Sequence, residues 1–182
     1  EAGPAGENGA APSLPAPPIR LTRLPNGARI LTRHDGASGT LHLSAYWLAG
    51  TREETPETNG VGRLAARMLT RGTPSRTAEE IARQVESLGG SIESVSGRNT
   101  AGLTLSVLAS DWREGTEVFL DCLRNTAFPE GELDRARNEV IGEIRNQKTS
   151  WGRILYRRLA EAHFGTHPYA LDPAGREEVV TR

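Results

Sequence analysis

The sequence predicts an α+β domain, an antiparallel-rich β-sheet with helices packed on one side of it. Three observations lead there. Residues 19–24 and 28–34 are short strand-like runs flanking Pro25-Asn26-Gly27, and Asn-Gly is the strongest short hairpin signal. Further strand-like runs at 40–48, 91–97 and 101–109 are separated by two helical stretches. From residue 111 onward the apolar spacing is helical. The order is therefore strands, two helices, two strands, then helices.

The chain has 182 residues, enough for one domain with a full core. Its net charge of −1 gives no electrostatic case for nucleic acid or an anionic membrane. No apolar run reaches the length of a membrane span. A single cysteine, Cys122, excludes an internal disulfide, and its helical setting predicts a small buried hydrophobe. Residues 1–18 are mostly Ala, Gly and Pro and bury too little apolar surface to offset their ordering entropy, which predicts a flexible leader. An Ala/Pro-rich leader often follows a cleaved export signal, so the expected compartment is periplasmic or secreted.

Order is expected from Ile19. In the strand at 40–48, Leu41, Leu43, Ala45 and Trp47 share one face and His42, Ser44, Tyr46 and Leu48 the other, a pattern that predicts burial on both sides. The stretch from Gly60 to Thr73 places Val61, Leu64, Ala65, Met68 and Leu69 at amphipathic helical spacing. Asn59 is its expected N-cap and Gly72 its stop. Arg63 and Arg67 stand one turn apart, so both guanidinium groups leave one face; taken alone, that is a solvated basic stripe. Thr77 and Glu80 form a capping box, Ile81, Val85 and Leu88 face inward, and Gly89-Gly90 ends the helix. The strand at 101–109 alternates Leu103, Leu105 and Val107. Asp111 and Glu114 predict a second capping box, opening a helix with Trp112, Phe119, Cys122 and Leu123 inward. Pro129 precedes a longer helix with Leu133, Ala136, Val140 and Ile144 as its stripe. Residues 151–164 form another, with Ile154, Leu155, Leu159 and Phe164 as its apolar residues. His34 and His42 read as ordinary histidines. His163 and His167 have the i, i+4 spacing of a metal pair, but Gly165 and Pro168 break the helix that would bring them together.

The stretch Gly60-Val61-Gly62-Arg63-Leu64-Ala65-Ala66-Arg67-Met68-Leu69-Thr70-Arg71-Gly72-Thr73 resembles the metal-binding helix of the pitrilysin family of zinc peptidases, which includes insulin-degrading enzyme and the mitochondrial processing peptidase. These inverzincins carry H-x-x-E-H, with two histidines on zinc and the glutamate activating a water. Gly60, Met68, Leu69, Gly72 and Thr73 are in register with that motif. Arg63, Ala66 and Arg67 stand at its three chemical positions, and arginine neither loses its proton nor ligates zinc. Leu24-Pro25-Asn26-Gly27-Ala28-Arg29-Ile30-Leu31 and Ala49-Gly50-Thr51-Arg52-Glu53 are similar to the start of such domains. Phe164-Gly165-Thr166-His167-Pro168-Tyr169 resembles a family loop. The run Leu133–Ile144 matches the third-ligand helix, and the family's spacing counted on from Arg67 lands on Glu143. Ala136 stands where relatives carry a further acidic residue.

The resemblance covers roughly residues 19–182 and implies a LuxS/MPP-like metallohydrolase domain, the single N-terminal one of a longer protein. It implies a catalytically inactive member with zinc absent. Such relatives pair with an active zinc-peptidase subunit, or with the remaining domains of their own chain, and help enclose and bind peptides. Substrate in active relatives lies along an edge strand bearing G-G-x-x-N-A. Here the stretch is Gly89-Gly90-Ser91-Ile92-Glu93-Ser94, so Glu93, Ser94 and Val95 are either a candidate peptide-binding strand or an edge protected by polar residues. A stand-alone peptide-binding module and a zinc protease with relocated ligands are the alternative functions. With the metal site vacated, Glu143 is expected to pair with Arg63 or Arg67, or the arginines with Glu139.

Overall fold

The computed structural model describes residues 18–182, so the expected leader lies outside the described residues except for Pro18. The chain divides into two compact units, up to Ser38 and from Gly39 to Arg182. The first contains an antiparallel hairpin of β1 (Arg20–Arg23) and β2 (Arg29–Thr32), in the register Arg20 to Thr32 and Arg23 to Arg29. Its turn is held by the Gly27 N–H donating to the Leu24 carbonyl at 2.9 Å. Gly27 takes the positive φ that the Asn-Gly signal anticipates.

The second unit is built on a three-stranded antiparallel sheet. Its strands are β3 (Thr40–Leu48), β4 (Ser91–Ser96) and β5 (Thr100–Leu108), in the order β3-β5-β4. The helices are α1 (Val61–Met68), α2 (Ala78–Ser87), α3 (Trp112–Arg124), α4 (Glu130–Lys148), α5 (Trp151–Phe164) and the short α6 (Glu177–Val180). Alternation in β5 sends Leu103, Leu105 and Val107 to one face. There they join Leu69, Ile81, Val85 and Leu88, with Val118, Phe119 and Cys122 of α3, in the main core. The opposite face carries Thr104 and Ser106 at half-burial. The expected architecture, helices on one side of an antiparallel sheet, is therefore what the molecule adopts. A second, smaller core joins Val140 and Ile144 of α4 to Ala174 and Val180, with Leu64 of α1 packed against it.

Several local expectations are corrected. β3 is not buried on both sides: Leu41, Leu43 and Ala45 meet the core, while Tyr46 and Leu48 are exposed. Helix α1 buries Ala66 and Met68 but leaves Val61 and Ala65 exposed, because it is sandwiched between the sheet and α4. Its apolar spacing follows only one of those two contacts. Asn59 is not the N-cap. That position is Gly60, at φ 108°, and the helix's orphan amides are met by Glu54. The Thr77/Glu80 capping box is present. The Asp111/Glu114 box is not, since a 3₁₀ turn over Ala109–Asp111 runs directly into α3 and Asp111 makes no side-chain cap. Trp112 consequently lies at the surface, stacked under Arg113 with the guanidinium carbon 4.5 Å from the ring centroid. On α5, Leu155 and Leu159 are exposed and only Ala160 is buried.

The start of α1 is fixed by residues far away in sequence. The Glu54 carboxylate accepts the Gly60 N–H at 3.0 Å and the Gly62 N–H at 2.9 Å. Asn59, 1% exposed, donates through Nδ2 to Glu54 at 2.9 Å and to the Asp172 carbonyl at 3.0 Å. The Arg176 N–H donates to the Asn59 carbonyl at 3.0 Å. Gly60 and Gly175 both have positive φ and meet backbone to backbone, so that a Cβ on Gly175 would lie 2.6 Å from the Gly60 Cα.

Candidate functional site

Helix α1 packs on β4 and β5 on one side and on α4 on the other. Residues 63 and 67 project toward α4 because residues one turn apart share a face. Arg63 Nη2 lies 2.5 Å from Glu143 Oε2, and Arg67 Nη2 lies 2.7 Å from Oε1 of the same carboxylate. Both arginines engage Glu143, one on each oxygen. Arg67 also reaches Glu139 with Nη1 at 2.9 Å. Arg71, in the bend just after α1, donates to Glu139 at 2.6 Å and lies 3.5 Å from Glu132. The result is an antiparallel ladder: Arg63, Arg67 and Arg71 descend along Glu143, Glu139 and Glu132.

Burial alone would push the Glu143 carboxyl up. Hydrogen bonds from Arg67 and Arg63 outweigh that and hold it below the usual carboxylate range. For Arg67, burial opposes the charge, but the carboxylates of Glu143 and Glu139 more than offset it, so its pKa is raised. The side chains of Arg63, Arg67 and Glu143 are 26%, 23% and 37% exposed, a half-buried site in which charge-assisted bonds are screened less than at the open surface.

These residues do not fit a zinc ion. Two fixed cations stand at positions 63 and 67, and the carboxylate that remains has both oxygens committed to them. Ala66, 4% exposed, offers no group to hold or move a proton, and Ala136 is fully buried. Among the described residues, no three His, Cys, Asp or Glu side chains converge on a possible metal position. His163 and His167 do not pair: His163 packs edge-on against Phe164, and His167 Nδ1 accepts the Tyr169 N–H at 3.1 Å. His42 Nε2 sits 3.3 Å from the Thr40 hydroxyl.

Glu93, Ser94 and Val95 lie on β4, which among the described residues pairs only with β5 and forms one edge of the sheet. Glu93 is exposed, while Ser94 and Val95 are half-buried. Because α1 contacts β4, the edge and the arginine helix belong to one neighbourhood. The sequence reading missed Arg71 and Glu132. The four-residue recurrence of Arg63, Arg67 and Arg71 was the available signal.

Fold and site together define an α+β domain of the zinc-metallopeptidase type in which α1 presents Arg63 and Arg67 to Glu143 of α4. The chain belongs to the insulinase family, peptidase family M16, whose model matches residues 29–175. Over 172 residues it is 28% identical to the probable mitochondrial-processing peptidase subunit beta of Arabidopsis thaliana, covering 93% of this chain and 32% of that protein. A protease from Helicobacter pylori shares the fold at TM-score 0.83 and 19% identity, over 92% of this chain and 41% of that one. The peptidase M16 inactive domain from Pseudomonas fluorescens matches at TM-score 0.81 and 25% identity, over 89% and 40% respectively. This chain thus spans 32% to 41% of the length of these three proteins.

Proposed function

We propose that this chain is a non-catalytic M16 domain that binds no zinc and helps an active peptidase subunit, or further domains of its own protein, to enclose and bind peptides. The observation that carries this reading is the double pairing of Arg63 and Arg67 with Glu143. It replaces a metal by two side-chain cations and keeps the packing of α1 on α4. The Pseudomonas fluorescens structure, described as an inactive domain, supports it. The test is hydrolysis of casein or peptide by the pure protein, with and without zinc, alone and mixed with an M16 subunit having an intact H-x-x-E-H. The reading expects no turnover alone and a stable complex with altered peptide affinity in the mixture. Chelator-sensitive cleavage by the pure protein, or stoichiometric zinc on it, would overturn the reading in favour of relocated ligands.

A second reading is a stand-alone peptide-binding module, and the position of β4 at the sheet edge favours it. An added strand would take main-chain hydrogen bonds there with little regard to sequence. Binding of an extended peptide to the isolated protein, lost when Val95 is replaced by proline, separates this from the first reading.

A further inference from the structure

A cleft of about 700 Å³ lies between α1, α4, α5 and the segment leading into α6, apart from the β4 edge. Its volume is that of a small-ligand site. Four buried side-chain polar atoms among the described residues lack a hydrogen-bond partner, and three belong to residues lining this cleft: Asn59 Oδ1, Arg63 Nε and Arg157 Nε. A buried polar atom left unpaired is unfavourable, so such a cluster marks where a partner belongs. The orientation of the Asn59 amide is fixed, because its Nδ2 already donates to Glu54 and to the Asp172 carbonyl. Its free oxygen therefore needs a donor, while both guanidinium Nε–H groups need acceptors.

The balance of charge also favours an anion. Arg98 is anchored at the cleft by donating to the Tyr169 carbonyl at 2.6 Å, with its guanidinium 5.7 Å from the Tyr156 ring centroid and 5.8 Å from that of Tyr169. Arg153 lines the same space and makes no ion pair among the described residues. The acids that line the cleft are already engaged: Glu177 by Arg145 and Lys148, Asp172 by the Ala174 N–H, Glu178 by Arg176 at 3.7 Å, and Glu161 by Arg158 at 3.2 Å, with Arg157 Nε 3.8 Å from Glu161, too far for a hydrogen bond. Ile144, Ile154, Leu171 and Ala174 supply apolar wall.

We propose that this cleft binds a peptide carboxylate, its charge received by Arg63 and Arg157 and a neighbouring amide N–H by Asn59 Oδ1. Arg63 pairs with Glu143 and Arg157 lies near Glu161, but the Nε–H of each lacks an acceptor; these two donors, the Asn59 oxygen and the apolar wall match a carboxylate beside a peptide bond. The carboxylate comes from a chain end or an acidic side chain.

The test is calorimetry on the purified protein with four probes. These are an N-acetylated Ala/Leu tetrapeptide with a free carboxyl end, its C-terminal amide, an amidated tetrapeptide with one internal Asp, and inorganic phosphate. Saturable binding of a carboxylate-bearing peptide is expected, about tenfold or more tighter than that of the uncharged amide. Preference for the free end or for the internal Asp identifies the source of the carboxylate. Arg157→Met should weaken binding about tenfold, whereas Arg158→Met, at a side chain 71% exposed on the same helix, should not. Equal binding of acid and amide, phosphate competing as well as peptide, or no binding by any probe would each overturn the assignment. The comparison among probes needs no variant, so it stands even if Arg157→Met unfolds. Loss of β4-edge binding by proline at Val95, with the carboxylate preference intact, would separate this cleft from the sheet edge.

Discussion

Arg67 spans α1 and α4, placing Nη2 2.7 Å from Oε1 of Glu143 while its Nη1 holds Glu139. Glu143, where the family resemblance expects a third ligand, is the counter-ion of both Arg63 and Arg67. Replacing it with an amide removes the charge but keeps the size. Glu143→Gln is expected to destabilise the protein by about 1–3 kcal/mol, between an exposed pair and a buried one. Urea denaturation at pH 7 measures it, and a loss below about 0.5 kcal/mol would contradict the half-buried ladder. Because the folded Glu143 pKa is depressed, its contribution is present above the unfolded carboxyl value, near pH 4, and is lost as pH falls through the folded one. The gap between wild type and Glu143→Gln should therefore hold from pH 7 to about 5 and close below about 4.

Freeing Glu143 and supplying imidazoles should restore a metal site. Arg63→His with Arg67→His leaves a three-ligand set on α1 and α4. About one equivalent of zinc is expected by atomic emission after gel filtration, with no hydrolysis because Ala66 supplies no base. Zinc no higher than in the unsubstituted protein would show that α1 and α4 do not hold the two positions within reach of Glu143.

Gly50 follows β3 at φ 86° and ψ −167°, a conformation open essentially to glycine alone, and a Cβ there would stand 2.0 Å from the Gly97 carbonyl oxygen. Gly50→Ala is expected to cost about 3 kcal/mol and to lower the melting temperature by roughly 5–10 °C. A shift of less than about 2 °C would mean that the turn after β3 relaxes freely.

Cys122 is fully buried in the main core, and burial pushes its thiol up to about 11. The thiolate is the reactive form, so iodoacetamide at pH 8 should leave the native protein unmodified for hours and label it fully in urea. Rapid labelling of the native protein would place α3 off the sheet.

Where one contact dominates, local pattern reads through to structure. The Leu103/Leu105/Val107 alternation, the Thr77/Glu80 box and the span of α5 are of this kind, since each depends on residues close in sequence or on one large apolar face. The pairing of Arg63 and Arg67 with Glu143 was legible only through the family resemblance, because nothing local joins positions so far apart. Glu54 was not legible as a cap: it reaches the start of α1 through a turn whose shape is set by Asn59 and Asp172. Leu155 and Leu159 have helical apolar spacing and yet lie exposed, because periodicity reports which residues share a face, not what covers that face.

The contact of Asn59 with Asp172, and of Gly60 with Gly175, sets an order of assembly. On a growing chain, Val61–Met68 is made long before the segment that clasps its first turn. Until Asp172 and Arg176 have emerged, α1 lacks both anchors beyond Glu54, and the arginine ladder hangs on an eight-residue helix too short to persist in water. Closing so long a loop is entropically late. The hairpin of β4 and β5 can therefore form first, and the surface that the arginines define exists only once the tail of this unit has folded back.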